Sequence, residues 1–555
     1  MTASVANPVR SRFFPGLLLA LGFGAVSVLA LHQYRFGVWD QTLILPMFKH
    51  ALDPTLYRGD YLLSVIPHYH TLFWAALAGA VDLTGVDVGT LFFCVYCLAA
   101  VATLLGIGAV SFAVFAEPRG AALAMLLFLF SKRLPGGTFS LDEILYTRTA
   151  ALPLLLFSLA ALLRGRPLAA ACAAGGAFLI HPLSAAAFLI PMAAAAPAVL
   201  KRRRPAALLA AAAVFAVAAA PLLIRYFRNY AASPVPLPAW LEVLRIRSSH
   251  HIFPFSWDPS VYFEALLVLG TLAVSWPSAL SDGLRRFFRT MLVAVAVLVL
   301  LGVFFTEIVP VRLAVHLQLF RAFKPLYCIA LIFFAEFFVR AVDAAGGWRG
   351  VLLPVFAGMA LLYGAFHWRE AVVLLAALAG FARYSRSRGA AISPGRWSAA
   401  LCALAVLAGV RAWAEEGGDF KIGNAQRPQW LAVQRWAREA TPQDAVFIVP
   451  PTWSHEGFRV ESERAVYGDW KDGTLANWDP AFGAEWLRRM RSLGFSGEGS
   501  LEADFRRLGE IEFKAVARRL RAQGSGSVYL VGFADDNLPF PLAYRNPAYV
   551  VYRLE

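Results

Sequence analysis

FFPGLLLALGFGAVSVLALHQ (residues 13–33) runs directly into YRFGVWDQTLILPMFKHALDPTLYRGDYLLSVIPHYH (residues 34–70). The first stretch is uncharged over about the length of a bilayer span and reads as a transmembrane helix. Arg10 and Arg12 stand just before it, which puts the amino terminus in the cytoplasm and the loop 34–68 outside. That loop holds Asp40, Asp53 and Asp60 among aromatic residues and prolines. A carboxylate beside hydrocarbon is costly unless water, a partner or a substrate meets it, so mere membrane crossing gives no reason for three acids there. The loop is therefore the candidate active site. The same residues also fit an ordered outer loop whose Asp side chains cap turns, Asp53-Pro54 being a common turn starter.

Hydrophobic residues make up 59% of the 555, against about 45–50% in soluble proteins. The expected fold class is an α-helical polytopic membrane protein with a C-terminal soluble α/β domain. The formal charge of +15 does not point to nucleic acid, because much of the Lys and Arg sits in short clusters between apolar runs, as a topology signal. Cys94, Cys97, Cys172, Cys328 and Cys402 all lie in apolar runs. The CVYC spacing at 94–97 lacks a second ligand pair and reads as helix packing, so no disulfide is expected. No cleavable signal peptide is expected either, since no small-residue cleavage site follows the first run.

Further apolar segments fall at 69–83, 89–115, 120–130, 143–163, 168–181, 183–200, 205–224, 260–280, 290–306, 323–341, 350–365, 370–383 and 397–413. Leaving out 120–130, which is short for a crossing, gives about thirteen spans. The basic clusters at 164–166, 201–204, 282–289, 340–349 and 383–396 then all fall in the cytoplasm. Residues 1–413 form the expected transmembrane domain, and 414–555 the extracytoplasmic α/β domain. Function is expected on the outer face, where the loops are longer and richer in aromatic, His and acidic residues.

Within the outer loop 116–142, SLDE at 140–143 has the form of a capping box, and Arg148, one turn further on, reads as snorkelling to the interface. His181-Pro182 separates two apolar segments. The stretch 241–257, LEVLRIRSSHHIFPFSW, reads as a surface-lying amphipathic helix entering a rigid turn, with Arg247, His250 and His251 as polar contacts to a head group. Adjacent His residues lack the i, i+4 spacing that would put both imidazoles on one metal. In the loop 306–322, Arg312, His316, Gln318 and Arg321, with Lys324 just after it, are suited to hold a phosphate or to anchor the chain at the interface.

The last 140 or so residues are long enough for their own core. Helices are expected at 426–440, 480–493 and 500–522, and strands at 445–450, 458–467, 527–533 and 548–554. No GxGxxG, P-loop or nucleophile-elbow sequence occurs. Polar residues concentrate at 450–473, where His455, Glu456, Arg459, Arg464 and Lys471 fit either a groove or a solvated surface.

WDQ…LP…DP.LY..D at 39–60, HP at 181, R..HH..P at 247–254, LQLFR at 317–321 and PP…GFRV.S.R.VY.DWK at 450–471 together resemble an uncharacterised bacterial family of multi-pass proteins. That family is similar in layout to GT-C glycosyltransferases, which use polyprenyl-phosphate sugars as donors. The resemblance implies a GT-C-like fold, a polyprenyl-phosphate sugar and membrane lipid as partners, and an acid in the first outer loop as catalytic base, matched here by Asp40. The paired acidic motif of many members is absent, and the acids are spread over Asp40, Asp53 and Asp60. This departure leaves open the second acid and any divalent cation as cofactor. His181, Arg247, His250, His251, Arg312, Gln318, Arg321, Arg459 and Lys471 are the candidate substrate-binding residues; the acceptor is not specified. A lipid or solute transporter or flippase, and a non-catalytic membrane assembly protein, are the alternatives.

Overall fold

The computed structural model describes residues 8–200, 205–231, 234–344, 349–416, 420, 422–497 and 500–554. The basic cluster at 201–204 lies outside the described residues. The chain is mostly helical. Five helices among the described residues are long and apolar enough to cross a bilayer: Val88–Phe115, Pro205–Asn229, Asp282–Ile308, Leu319–Ala344 and Pro394–Glu415. Eight more apolar helices are shorter, between 10 and 17 residues. The chain is thus a multi-pass membrane protein.

Two compact units divide the chain. The first comprises Met1–Tyr34, Phe92–Pro221 and His250–Phe420. Its core is the helix Phe323–Ala344, which is buried along nearly its whole length. Phe333 explains much of this, because its ring meets those of Phe115, Trp276 and Phe288 at centroid distances of 5.7, 5.5 and 5.0 Å. Such edge-on contacts add specific geometry to the apolar packing that a lipid-embedded helix needs. The helices Thr147–Leu163 and Pro167–Ile180 pack on each other across a tight turn at Gly165, whose φ of +69° suits glycine.

Between the helices Pro118–Phe128 and Thr147–Leu163 the chain forms a small antiparallel hairpin, Arg133–Leu134 with Thr138–Phe139. The capping box expected at 140–143 does not form. Ser140 Oγ instead accepts from the Lys132 amide at 2.9 Å, and the next helix opens only at Thr147.

The second unit comprises Arg35–Leu91, Leu222–Ser249 and Lys421–Glu555, so the loop 34–68 is gathered largely with the carboxy-terminal segment. Its sheet has five strands, β1 Val446–Ile448, β2 Ala465–Val466, β3 Val528–Phe533, β4 Leu542–Arg545 and β5 Tyr549–Leu554, in the order β2-β1-β3-β5-β4. β1 is parallel to β2 and β3, while β5 is antiparallel to β3 and β4. The helix Pro428–Ala440 covers the sheet through Trp430, Val433 and Ala437, which share a core with Phe447, Tyr529 and Val551.

The structure departs from three expected elements here. Residues 458–467 form a short helix, Arg459–Ser462, and the two-residue β2 instead of one long strand. The helix expected at 500–522 is two, Leu501–Arg506 and Glu510–Ala522, broken before Gly509. The strand β4 is additional. The region expected to be a loop at 34–68 is also largely ordered: Gln41–Leu52 is a helix whose first eight residues are all buried, and Tyr61–His68 is a 3-10 helix.

Candidate functional site

Both units hold concentrations of polar side chains. In the first unit, Arg148, Arg321, Lys324, Thr138 and Ser184 line a pocket with the apolar Leu152, Leu155 and Phe188. Arg148 and Ser184 stand in the first turns of the helices Thr147–Leu163 and Pro182–Ala195, whereas Lys324 lies further inside a helix that begins as the 3-10 turn Leu319–Ala322 and runs on into Phe323–Ala344. A first helical turn carries amides without an intrahelical partner and the positive end of the helix dipole. Two such turns therefore add to the charge of the three cations, and among the described residues the pocket lining contains no carboxylate.

The cations are held in place by neighbours. Arg321 donates from Nε to Gln318 Oε1 at 2.7 Å, and Gln318 sits at φ +47°, where the chain turns between two short helices. Arg148 binds Asp142 through Nη2 at 2.9 Å and lies 3.7 Å from the Tyr146 ring centroid. Thr149 Oγ1 donates to the same carboxylate at 3.1 Å. Arg148 is thus oriented by a buried acid, whereas the sequence suggested interfacial snorkelling. His181 caps the helix Pro182–Ala195, its Nδ1 accepting from the Ser184 amide at 2.9 Å. That bond accounts for His181-Pro182 locally, and leaves Nε2 as the site for a proton on the neutral ring.

The His250 and His251 rings meet at a tilt of 43° with centroids 4.0 Å apart, and His251 Nδ1 lies 2.7 Å from the Gly136 carbonyl oxygen. A Cβ at Gly137, which has φ +66°, would come within 2.7 Å of both imidazoles. The PGG turn of the hairpin is therefore shaped to admit the histidine pair. Arg312 opens the short helix Arg312–Leu317 and does not line the pocket.

The second unit contains the three loop aspartates, and they do not gather. Asp53 is exposed and accepts from the Thr55 amide at 2.9 Å and the Thr55 hydroxyl at 2.7 Å, bonds that hold its pKa below the usual carboxylate value. Asp60 is buried. Its Oδ2 accepts from Arg459 Nε at 2.6 Å and the Val466 amide at 2.9 Å, and its Oδ1 from Arg459 Nη2 at 3.1 Å and the Leu62 amide at 2.9 Å. The same guanidinium binds Asp472 at 2.9 and 3.0 Å. Arg459 thus has a buried carboxylate on either side.

Asp40 is the half-buried member of the three, at the head of the helix Gln41–Leu52, and pairs with Lys471 Nζ at 2.8 Å. The preceding Trp39 has φ +51°, an uncommon conformation for an aromatic residue, and is held there as its carbonyl accepts from Thr42 N and Oγ1. Glu456 feels the charges of Lys471, Asp469, Arg247 and Asp40, so these five groups form one cluster. Burial pushes the Glu456 carboxyl up to about 8, and burial beside Asp472 pushes Asp469 up to about 6. Arg247 is buried, donates from Nε to the Trp470 carbonyl at 3.0 Å, and lies 4.3 Å from the Trp453 ring centroid. Asp469 and Trp453 join Glu456 in this cluster, and of the three only Asp469 lies within GFRV.S.R.VY.DWK at 457–471.

For a metal, His367, Glu370 and Glu415 bring ligand atoms within 4.8 Å of one another among the described residues. Arg411 Nε binds both carboxylates, at 3.1 and 3.0 Å, and supplies the positive charge itself. The group fits an ion-pair network.

A family profile described as "Domain of unknown function (DUF6798)" matches residues 428–493, in agreement with an uncharacterised family over that segment. No curated protein matches the chain. Among solved structures, ArnT from Cupriavidus metallidurans bound to undecaprenyl phosphate is similar at 15% identity and a TM-score of 0.45, covering 98% of this chain and 97% of that one. Apo ArnT from the same organism is similar at 13% identity and a TM-score of 0.46, with 99% and 98% covered. A superposition this loose assigns no residue of this chain a role.

Proposed function

We propose that this chain is a GT-C-like membrane glycosyltransferase that takes a sugar from a polyprenyl-phosphate donor. The observation that carries the reading is the pocket in which Arg148, Arg321 and Lys324 face Leu152, Leu155 and Phe188. A prenyl phosphate is an anion joined to an apolar chain, and this wall offers cations, two helix first turns and hydrocarbon together. In the transfer, the acceptor hydroxyl attacks the anomeric carbon and the lipid phosphate leaves with the bonding electrons. The cations stabilise the charge that develops on that phosphate. Asp40 is the residue we assign to receive the acceptor's proton, with Lys471 orienting its carboxylate. In this reading 1–413 is the membrane domain of an inner-membrane protein, and 414–555 and the loop 34–68 are extracytoplasmic.

The test is transfer from a polyprenyl-phosphate sugar, together with binding of polyprenyl phosphate, by the purified chain. Arg321→Ala and Lys324→Ala are each expected to lower donor use by about tenfold or more, and Arg321→Lys by less, since Lys keeps the charge and loses only the forked geometry. Donor binding and use unchanged in both Ala variants would overturn the reading.

A further inference from the structure

The second unit contains a polar surface whose chemistry differs from that of the cation-lined pocket. Trp453 is 59% exposed, with Arg247 against its ring at 4.3 Å from the centroid and Lys471 Nζ at 6.0 Å. Beside it, three buried polar atoms have no hydrogen-bond partner among the described residues: Arg247 Nη2, Trp470 Nε1 and Glu456 Oε1. A buried polar group left unmet is costly, so three of them close together call for a partner. The residues that carry them are otherwise well anchored. Arg247 Nε is bonded to the Trp470 carbonyl, and the Trp470 ring packs against those of Trp486 and Phe495, each at a 5.3 Å centroid distance.

We propose that Trp453, Arg247, Glu456 and Trp470 form a binding site for an uncharged sugar ring. A pyranose presents an apolar C–H face, which an indole accepts, and a rim of hydroxyls that both donate and accept. Arg247 Nη2 and Trp470 Nε1 are donors for that rim, and a carboxyl at Glu456 both donates and accepts. The local charge favours a neutral ligand over an anion. Lys471 is neutralised by Asp40, Arg247 is faced by Asp469, and burial keeps Glu456 protonated at neutral pH. That the bound sugar is the acceptor of the transfer rests on the glycosyltransferase reading; the binding itself does not.

The experiment uses the full chain in lipid nanodiscs, free of sugar-headed detergent and of any lipid-linked donor. The probes are methyl glucoside, methyl galactoside, methyl mannoside, N-acetylglucosamine and glucuronate, followed by tryptophan fluorescence and saturation-transfer NMR. At least one neutral probe is expected to bind saturably and more tightly than glucuronate. Trp453→Ala is expected to weaken that binding about tenfold or more and Trp453→Phe by no more than about threefold, because Phe retains a ring face. Glu456→Ala should weaken it about fivefold, the scale of one hydrogen bond, and Glu456→Gln by less, because an amide also donates and accepts. Unchanged unfolding temperatures in the Trp453 variants separate lost binding from lost folding. The proposal is overturned if no neutral probe saturates, if glucuronate binds as well, or if Trp453→Ala binds like the wild type. Sugar binding that persists in Arg321→Ala keeps this inference standing even where the donor reading fails.

Discussion

Arg459 and Asp60 form a buried ion pair of 2.6 Å between residues 399 positions apart in the chain. Because these groups are removed from water, taking away Asp60 leaves the buried guanidinium with Asp472 as its remaining carboxylate, and taking away Arg459 leaves two buried carboxylates without their shared cation. Asp60→Ala and Arg459→Ala are each expected to destabilise the fold by about 3–5 kcal/mol. The expected signs are a lower unfolding temperature and reduced abundance in the membrane, with any loss of activity following the loss of protein. Normal abundance with lost activity in Asp60→Asn would instead restore Asp60 to the list of catalytic acids.

Asp40 and Asp53 separate by their surroundings. Asp53 binds only its neighbour Thr55 and is exposed, so Asp53→Asn should leave abundance and activity unchanged, Asn serving nearly as well in such a turn. Asp40→Asn should reach the membrane normally yet lose activity by about 10² or more, the scale of a lost general base. The measurement is sugar transfer beside membrane abundance for both variants. Full activity in Asp40→Asn removes it as the base.

Glu456 sets an expected pH dependence of stability. A carboxyl whose pKa is raised on folding holds its proton more tightly in the folded chain than in the unfolded one. Its contribution is complete below the unfolded value of 4.5 and is lost as pH rises through about 8. Asp469 acts in the same direction over a lower window, from 3.8 to about 6. Between about pH 6 and about pH 8 the wild-type unfolding temperature should therefore fall more steeply than that of Glu456→Gln. Parallel curves for the two proteins would place Glu456 in a wetter setting than its burial indicates.

The asymmetry of Lys and Arg in the sequence predicts the orientation of the chain. A reporter active only outside the cytoplasm should be active when fused after Glu555 and silent when fused after Arg204. The reverse pair of signals would put the carboxy-terminal segment in the cytoplasm and remove lipid-linked sugars of the outer face as donors.

Sequence and tertiary structure divided the determination of this protein along physical lines. The multi-pass character and the strands near 528–533 and 549–554 follow from the sequence alone, because apolar runs and their lengths are local properties that any fold of the chain must satisfy. Asp40 and Arg321 were also readable as candidates, since charged residues next to hydrocarbon need a reason to be there, and Lys471 was readable from the polar concentration at 450–473. Sequence distinguished neither Asp60 from Asp40 nor Arg148 from an interfacial anchor. Those distinctions depend on which groups meet across the fold: Arg459 at Asp60, Asp142 at Arg148, and the first turns of two helices at one pocket. The helix Gln41–Leu52, read from sequence as part of a loop, is stabilised by burial of its first eight residues in the second unit. Only the tertiary structure decides such matters, because hydrophobic periodicity reports on neighbours along the chain whereas charge pairing and burial depend on neighbours in space.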